Sequence, residues 1–173
     1  MAGHSVFSDV GAHISGMAGD PFQGLLPPHY PTCLGCGPAA EQGFHLQVRR
    51  EGDEVVAEHI FTTRHSGAPG IAHGGAVATV IDDVLGMLLY VVRIAGVTRH
   101  LEVDYLKPVV LDVAYTIRAK VDSRDGRKLF VSCVCTDPSG VVAFTGKALF
   151  IEVSLAHFAA ALTSGEGQSP VAP

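Results

Sequence analysis

The chain has 173 residues and a mass of 18.1 kDa, which suits one domain with tails and excludes two large ones, because a single core of that size closes without splitting. Hydrophobic residues make up 47% and charged residues 17%, against about 25% charged in an average soluble domain, so apolar surface is expected between subunits. With 12 Lys+Arg against 17 Asp+Glu the net charge is -5, and the general attraction that brings basic proteins to nucleic acid is missing.

Residues 1–32, rich in Gly, Pro, Ala and His without a sustained period, read as an irregular N-terminal arm. Residues 1–30 hold no Lys or Arg and no apolar run follows Met1, so a secretory or Arg-rich transit segment is not expected and a cytoplasmic location is. Cys33-x-x-Cys36 has the spacing of half a zinc site or of a redox pair. A structural zinc takes four ligands, however, and neither a second Cys-x-x-Cys nor a His-x-x-x-His accompanies the pair, so no metal is assigned.

The domain is expected over 33–155, followed by a C-terminal tail, 156–173. Phe44, Leu46 and Val48 alternate with polar residues, and Val55, Ala57, His59 and Phe61 repeat the pattern after Glu51-Gly52-Asp53, predicting a hairpin. A loop, 62–72, precedes an apolar helix from Ala76 to Ile94 that Gly96 is expected to end. Its neighbourhood is apolar enough to suggest a membrane span, but Asp82 and Asp83 stand near the middle, so it reads as a helix enclosed by protein. Four alternating runs follow, around Leu101–Tyr105, Val113–Val121, Leu129–Cys135 and Val141–Ile151, with turns at Lys107-Pro108, Arg124-Asp125-Gly126 and Asp137–Gly140. In this reading Cys133 and Cys135 share one apolar strand face with Leu129 and Val131. The order is β-β-α-β-β-β-β, an α+β architecture in which a curved antiparallel sheet of about six strands lies against one long helix.

Chemistry concentrates in residues 70–82. The Gly74-Gly75 pair lies where the helix begins, lets a ligand approach the backbone, and presents unpaired N–H groups at the positive end of the helix dipole. Asp82 follows Gly75 by about two turns, on the helix face that carries Gly75, Thr79 and Gly86. A carboxylate in an apolar helix is costly unless it is used, and a partly desolvated one has the basicity that a general base requires. The competing reading is an Asp that only bonds a neighbouring backbone group or faces water.

The run His73-Gly74-Gly75-Ala-Val-Ala-Thr-Val-Ile-Asp82, with Thr98 and the segment Leu101 to Pro108, resembles the hot-dog-fold acyl-CoA thioesterases. The similarity is greatest to their His-Gly-Gly…Asp branch, which includes 4-hydroxybenzoyl-CoA and phenylacetyl-CoA thioesterase-type proteins and thioesterase-superfamily members. It covers about residues 33–153. The resemblance implies that the Gly74 N–H binds the thioester carbonyl oxygen and that Asp82 acts as general base or nucleophile in a site shared with the other subunit. It also implies that Thr98 positions the carboxylate or its water and that His73 shapes the oxyanion site; Asp83 has no comparable role. Where some relatives carry Asn or Gln six positions before the His, this chain has Gly67, with His65 and Ser66 as the nearest substitutes.

Gly75 and Thr79 are assigned to substrate binding. Arg99, Lys107, Arg127 and Lys128, with Arg124, are assigned to the phosphates of coenzyme A through charge-assisted hydrogen bonds, in competition with a role as solvated turn residues. The other histidines, including His45, His59, His100 and His157, are read as structural. The leading function is hydrolysis of acyl-CoA to a carboxylic acid and coenzyme A, without a cofactor, by a homodimer or dimer of dimers. The alternatives are a non-catalytic acyl-CoA binding module and a hot-dog hydratase or dehydratase. The last needs an Asp/His pair that is absent around Asp82.

Overall fold

The computed structural model describes residues 22–154 and 156. Strands β1 (Gly24–Leu25), β2 (Val48–Glu51), β3 (Glu54–Ile60), β6 (Gly96–Tyr105), β7 (Ala114–Asp125), β8 (Lys128–Thr136) and β9 (Val142–Glu152) form one antiparallel sheet in the order β1-β2-β3-β7-β8-β9-β6. A second, two-stranded ladder joins β4 (Ser66–Ala68) to β5 (Ile71–Ala72), within the segment expected to be loop. Helices α1 (Gly74–Gly86) and α2 (Leu88–Val92) lie against the large sheet.

The sheet forms where alternation predicts it. Tyr115, Ile117 and Ala119 of β7 and Leu129, Val131, Cys133 and Cys135 of β8 are all buried. Their rows meet in register, with Ile117 opposite Cys135 and Ala119 opposite Cys133. The β7–β8 turn has Gly126 at φ +56, a value that glycine supplies without a Cβ penalty. In α1, Val77, Val80, Ile81, Val84 and Leu85 are at most 1% exposed, the i, i+3, i+4, i+7, i+8 stripe of a core-facing helix. The helix approaches β9 so closely that a Cβ on Gly146 would stand 2.6 Å from Ile81 Cγ2 and 3.0 Å from Cys133 Sγ.

Three boundaries differ from expectation. The described part of the expected arm belongs to the domain: Phe22 and Leu26 are 3% and 5% exposed, and Gly24–Leu25 pairs with Arg49 and Arg50. The rest of the arm, and the tail apart from Ala156, lie outside the described residues. Phe44 and Leu46 are not in a strand, because His45 takes φ +51 and breaks the extended run; their N–H groups bond Leu34 O and Gly35 O instead. Finally, the expected single helix is two segments divided at Met87, and Arg93, at φ +57 and ψ +46, turns the chain out of α2. Gly96 therefore opens β6 rather than closing the helix. The run Gly74–Val92 is long and apolar enough to cross a bilayer by length and composition, but its apolar stripe is buried under the sheet.

Candidate functional site

The helix start is built around His73. Its backbone is extended, with φ −65 and ψ 135, and its Nδ1 accepts the Gly75 N–H at 2.9 Å. That bond places the proton of the neutral ring on Nε2. Gly74, the first helical residue, has no acceptor for its N–H within the helix, so this donor stands at the positive end of the dipole. On the other side of the residue, the Tyr105 hydroxyl donates to Gly74 O at 2.7 Å. Tyr105, on β6, is a contributor that sequence reasoning did not single out. Gly67 is sterically required: a Cβ there would lie 2.6 Å from His73 Cα, so no amide side chain fits at that position. His65 and Ser66 have internal partners, His65 Nδ1 accepting from the Thr62 N–H at 3.0 Å and Ser66 donating to Ala68 O at 3.0 Å.

Asp82 is half-buried and Thr98 on β6 is exposed. The Thr98 hydroxyl donates to Asp82 Oδ1 at 2.9 Å, which fixes one carboxylate oxygen and leaves the other to meet a water or an electrophile. Thr79, assigned to substrate from its helix face, donates its hydroxyl to Gly75 O at 2.9 Å, a back-bond within the helix. Gly74 and Asp82 are eight residues apart in α1, about 12 Å along the axis at 1.5 Å per residue.

The basic residues do not form one group within the chain. Arg127 and Lys128 sit at the β7–β8 turn, and the Glu152 N–H donates to Arg127 O at 2.8 Å. Glu152 in turn pairs with Gly96, three residues before Arg99 on β6, so Arg99 lies toward the same end of the sheet. Lys107 follows the opposite end of β6, beside Ala143. Arg124 is ion-paired with Glu152.

Asp83 has surroundings unlike those of Asp82. It is 9% exposed and faces residues from before β2. Its Oδ1 is 3.1 Å from His29 Nδ1 and 3.2 Å from Cys33 Sγ, while Cys36 Sγ is 3.4 Å from His29 Nδ1. Burial pushes the Asp83 carboxyl above its usual range, and His29 partly offsets this. Hydrogen bonding with Cys36 and His29 draws the Cys33 thiol down to about 3. Burial works against the charged form of His29, but the bonds to Asp83 and Cys33 outweigh it and hold that imidazole near 10. The sequence signal for this cluster was Cys33-x-x-Cys36 alone, since its other two members belong to no ligand motif.

A helix N-terminus and a hydroxyl-held carboxylate on a helix wrapped by an antiparallel sheet can be compared with known proteins as a unit. Residues 69–144 match the sequence model of the thioesterase superfamily. This segment belongs to that superfamily, in a hot-dog fold. The acyl-coenzyme A thioesterase THEM4 of Rattus norvegicus is 39% identical to the chain over 88 residues, 50% of this chain and 38% of that protein. The chain thus matches well under half the length of the curated thioesterase relatives. Among solved structures, a thioesterase superfamily protein aligns with a TM-score of 0.65 at 25% identity, covering 83% of this chain and 78% of that one. A hypothetical thioesterase from Streptococcus pneumoniae TIGR4, determined with coenzyme A, aligns with a TM-score of 0.60 at 21% identity, covering 63% of this chain and 86% of that one; this second likeness concerns the fold.

Proposed function

We propose that the protein hydrolyses acyl-CoA thioesters at sites shared between two subunits. The Gly74 N–H and the helix dipole receive the thioester carbonyl oxygen and stabilise the negative charge that develops on it. Asp82, oriented by Thr98, either takes a proton from the attacking water or attacks the carbonyl carbon itself. With water as nucleophile, its new C–O bond replaces the C–S bond, coenzyme A leaves as its thiolate and takes up the proton that Asp82 removed, and the acid is released. With Asp82 as nucleophile, the C–O bond to Asp82 replaces the C–S bond, coenzyme A leaves as its thiolate, and water then hydrolyses the acyl–aspartyl anhydride to the acid and free Asp82. His73 holds the first helical turn in shape and Tyr105 holds the Gly74 carbonyl. Arg99, Arg127 and Lys128 are the group available to coenzyme A phosphates at one sheet end, where Arg124 is engaged by Glu152, and Lys107 is a separate contributor at the other end.

The observation that carries this reading is the placement of both halves along β6. Among the described residues this strand has a hydrogen-bonded neighbour on one side only, β9, and it touches Asp82 through Thr98 and Gly74 through Tyr105. One chain cannot present both groups to a single thioester, because they are about 12 Å apart along the helix. Antiparallel pairing of two β6 edges about a two-fold axis near Leu101 and Glu102 brings the Thr98 end of one copy opposite the Tyr105 end of the other, and also covers an exposed sheet edge. The THEM4 relatives and the likeness to a thioesterase determined with coenzyme A support the substrate class.

The test is release of free thiol from straight-chain acyl-CoA and aryl-CoA substrates by the wild-type chain and by Asp82→Asn. Turnover that falls by about 10²–10⁴-fold in the variant supports the assignment of the base. Binding of coenzyme A without thiol release would establish the binding-module reading instead.

A further inference from the structure

We propose that His29, Cys33, Cys36 and Asp83 form a structural zinc site that fastens residues 29–36 to α1 behind the Asp82 face. The four side chains each offer one donor atom, and these atoms all lie within 4.8 Å of one another. A tetrahedral zinc with thiolate, imidazole and carboxylate ligands has donor-to-donor edges of about 3.3–3.8 Å. The separations of 3.1 Å from His29 to Asp83, 3.2 Å from Cys33 to Asp83 and 3.4 Å from Cys36 to His29 need to open by only a few tenths of an ångström to admit the ion. Two thiolates, one imidazole and one carboxylate are a donor set that suits zinc.

The atoms converge on a point rather than forming a relay. A Cys–His–Asp proton relay needs the carboxylate on one ring nitrogen and the thiol on the other, whereas here Asp83 and Cys36 both face His29 Nδ1. The Asp83 side chain is 7% exposed, and its Oδ2 is buried without a hydrogen-bond partner, a cost that a cation bound by the same carboxylate relieves. The surrounding backbone is shaped for the cluster. A Cβ on Gly35 would lie 2.2 Å from Asp83 Cγ, one on Gly37 would lie 2.4 Å from Cys33 N, and one on Gly86 would lie 3.2 Å from His29 Cε1. An outer layer is present as well, since the His29 N–H donates to Cys36 Sγ at 3.2 Å and the Tyr90 ring stacks on the imidazole at 5.6 Å and 16°. Four protein ligands with no open position mark a structural rather than a catalytic metal. Such a clamp joins the chain before β2 to the helix that carries Asp82, and it gives Asp83 a role distinct from that of its neighbour.

The full chain should be produced in zinc-supplemented medium, purified without chelators under reducing conditions, and analysed for metal. About one equivalent of zinc per chain is expected, falling to background in Cys33→Ser/Cys36→Ser and in Asp83→Asn. Removal of the metal should lower Tm, and zinc should restore it. Cobalt(II) added to the metal-free wild type should give the thiolate charge-transfer and intense visible bands of a tetrahedral site, a readout that decides the matter even where the variants do not fold. The proposal is overturned if the wild type neither carries zinc nor takes up cobalt(II). It is equally overturned if the double-serine variant keeps a full equivalent, or if intact mass shows a Cys33–Cys36 disulfide in the native protein.

Discussion

Replacing Thr98 by Val tests the role of the hydroxyl that orients Asp82, because the two side chains share a shape and differ by one donor. The bond lost is 2.9 Å long and ends on a carboxylate oxygen, a class worth about 1.5–3 kcal/mol. Thr98 is exposed, so water recovers part of this, and about 1–2 kcal/mol is left to appear in the activation barrier, roughly a 5–30-fold loss in kcat. The fold should be unaffected, since a β-branched residue is retained in the strand. The assay is thiol release under saturating acyl-CoA together with thermal unfolding of the same samples. Thr98→Val should lose kcat with KM and Tm nearly unchanged, and Thr98→Ser should recover most of the loss. Wild-type kcat in Thr98→Val refutes the reasoning, as does a loss that Thr98→Ser shares equally.

Tyr105→Phe removes the donor to Gly74 O and should lower kcat about 3–10-fold with little change in Tm; steady-state kinetics and thermal unfolding check both. His59 is held down at about 4, first by burial and then by His65. As pH falls from 6.5 to 4 the unfolded chain therefore binds a proton that the folded chain refuses, so stability present above pH 6.5 is lost through that window, by about 3 kcal/mol in all. Its Nε2 is also buried without a partner, so His59→Phe should flatten the pH dependence of urea unfolding between pH 6.5 and 4. Gly146→Ala forces a methyl against Ile81 Cγ2 and should cost about 1–3 kcal/mol, and adding Ile81→Ala should cost less than the sum of the two changes, measured as a double-mutant cycle.

The strand pattern was legible because period-two alternation survives wherever one sheet face is buried, as in Leu129, Val131, Cys133 and Cys135. It failed at Phe44–Leu46, where the positive φ of His45 breaks the strand and no residue type announced that. β1 was hidden because two residues, Gly24 and Leu25, close before Pro27-Pro28 carry no period, and only pairing with Arg49 and Arg50 makes them a strand. The helix start and the Asp82 spacing were legible because helical geometry turns sequence spacing into a face. The site's cross-element bonds were less so: the Tyr105 hydroxyl on Gly74 O depends on where β6 crosses α1, and the separation of Lys107 from Arg127 depends on strand order. The meeting of His29 with Asp83, 54 residues away, is set by tertiary packing alone. Cys33-x-x-Cys36 therefore looked like half a site with no second half.

The shared site is tested most directly by mixing two inactive proteins. Asp82→Asn removes the proposed base. Gly74→Pro removes the proposed oxyanion donor at the first helical position, where proline is tolerated, and the extended His73 before it, at φ −65 and ψ 135, is the conformation that proline requires of its predecessor. After subunit exchange, with hybrids counted by native mass spectrometry, half the dimers are mixed and each has one site with both groups intact. Thiol release from acyl-CoA should then return to about one quarter of the wild-type rate. Verified hybrids with no activity above either parent would contradict the shared site and confine Asp82 and Gly74 to separate work within one chain.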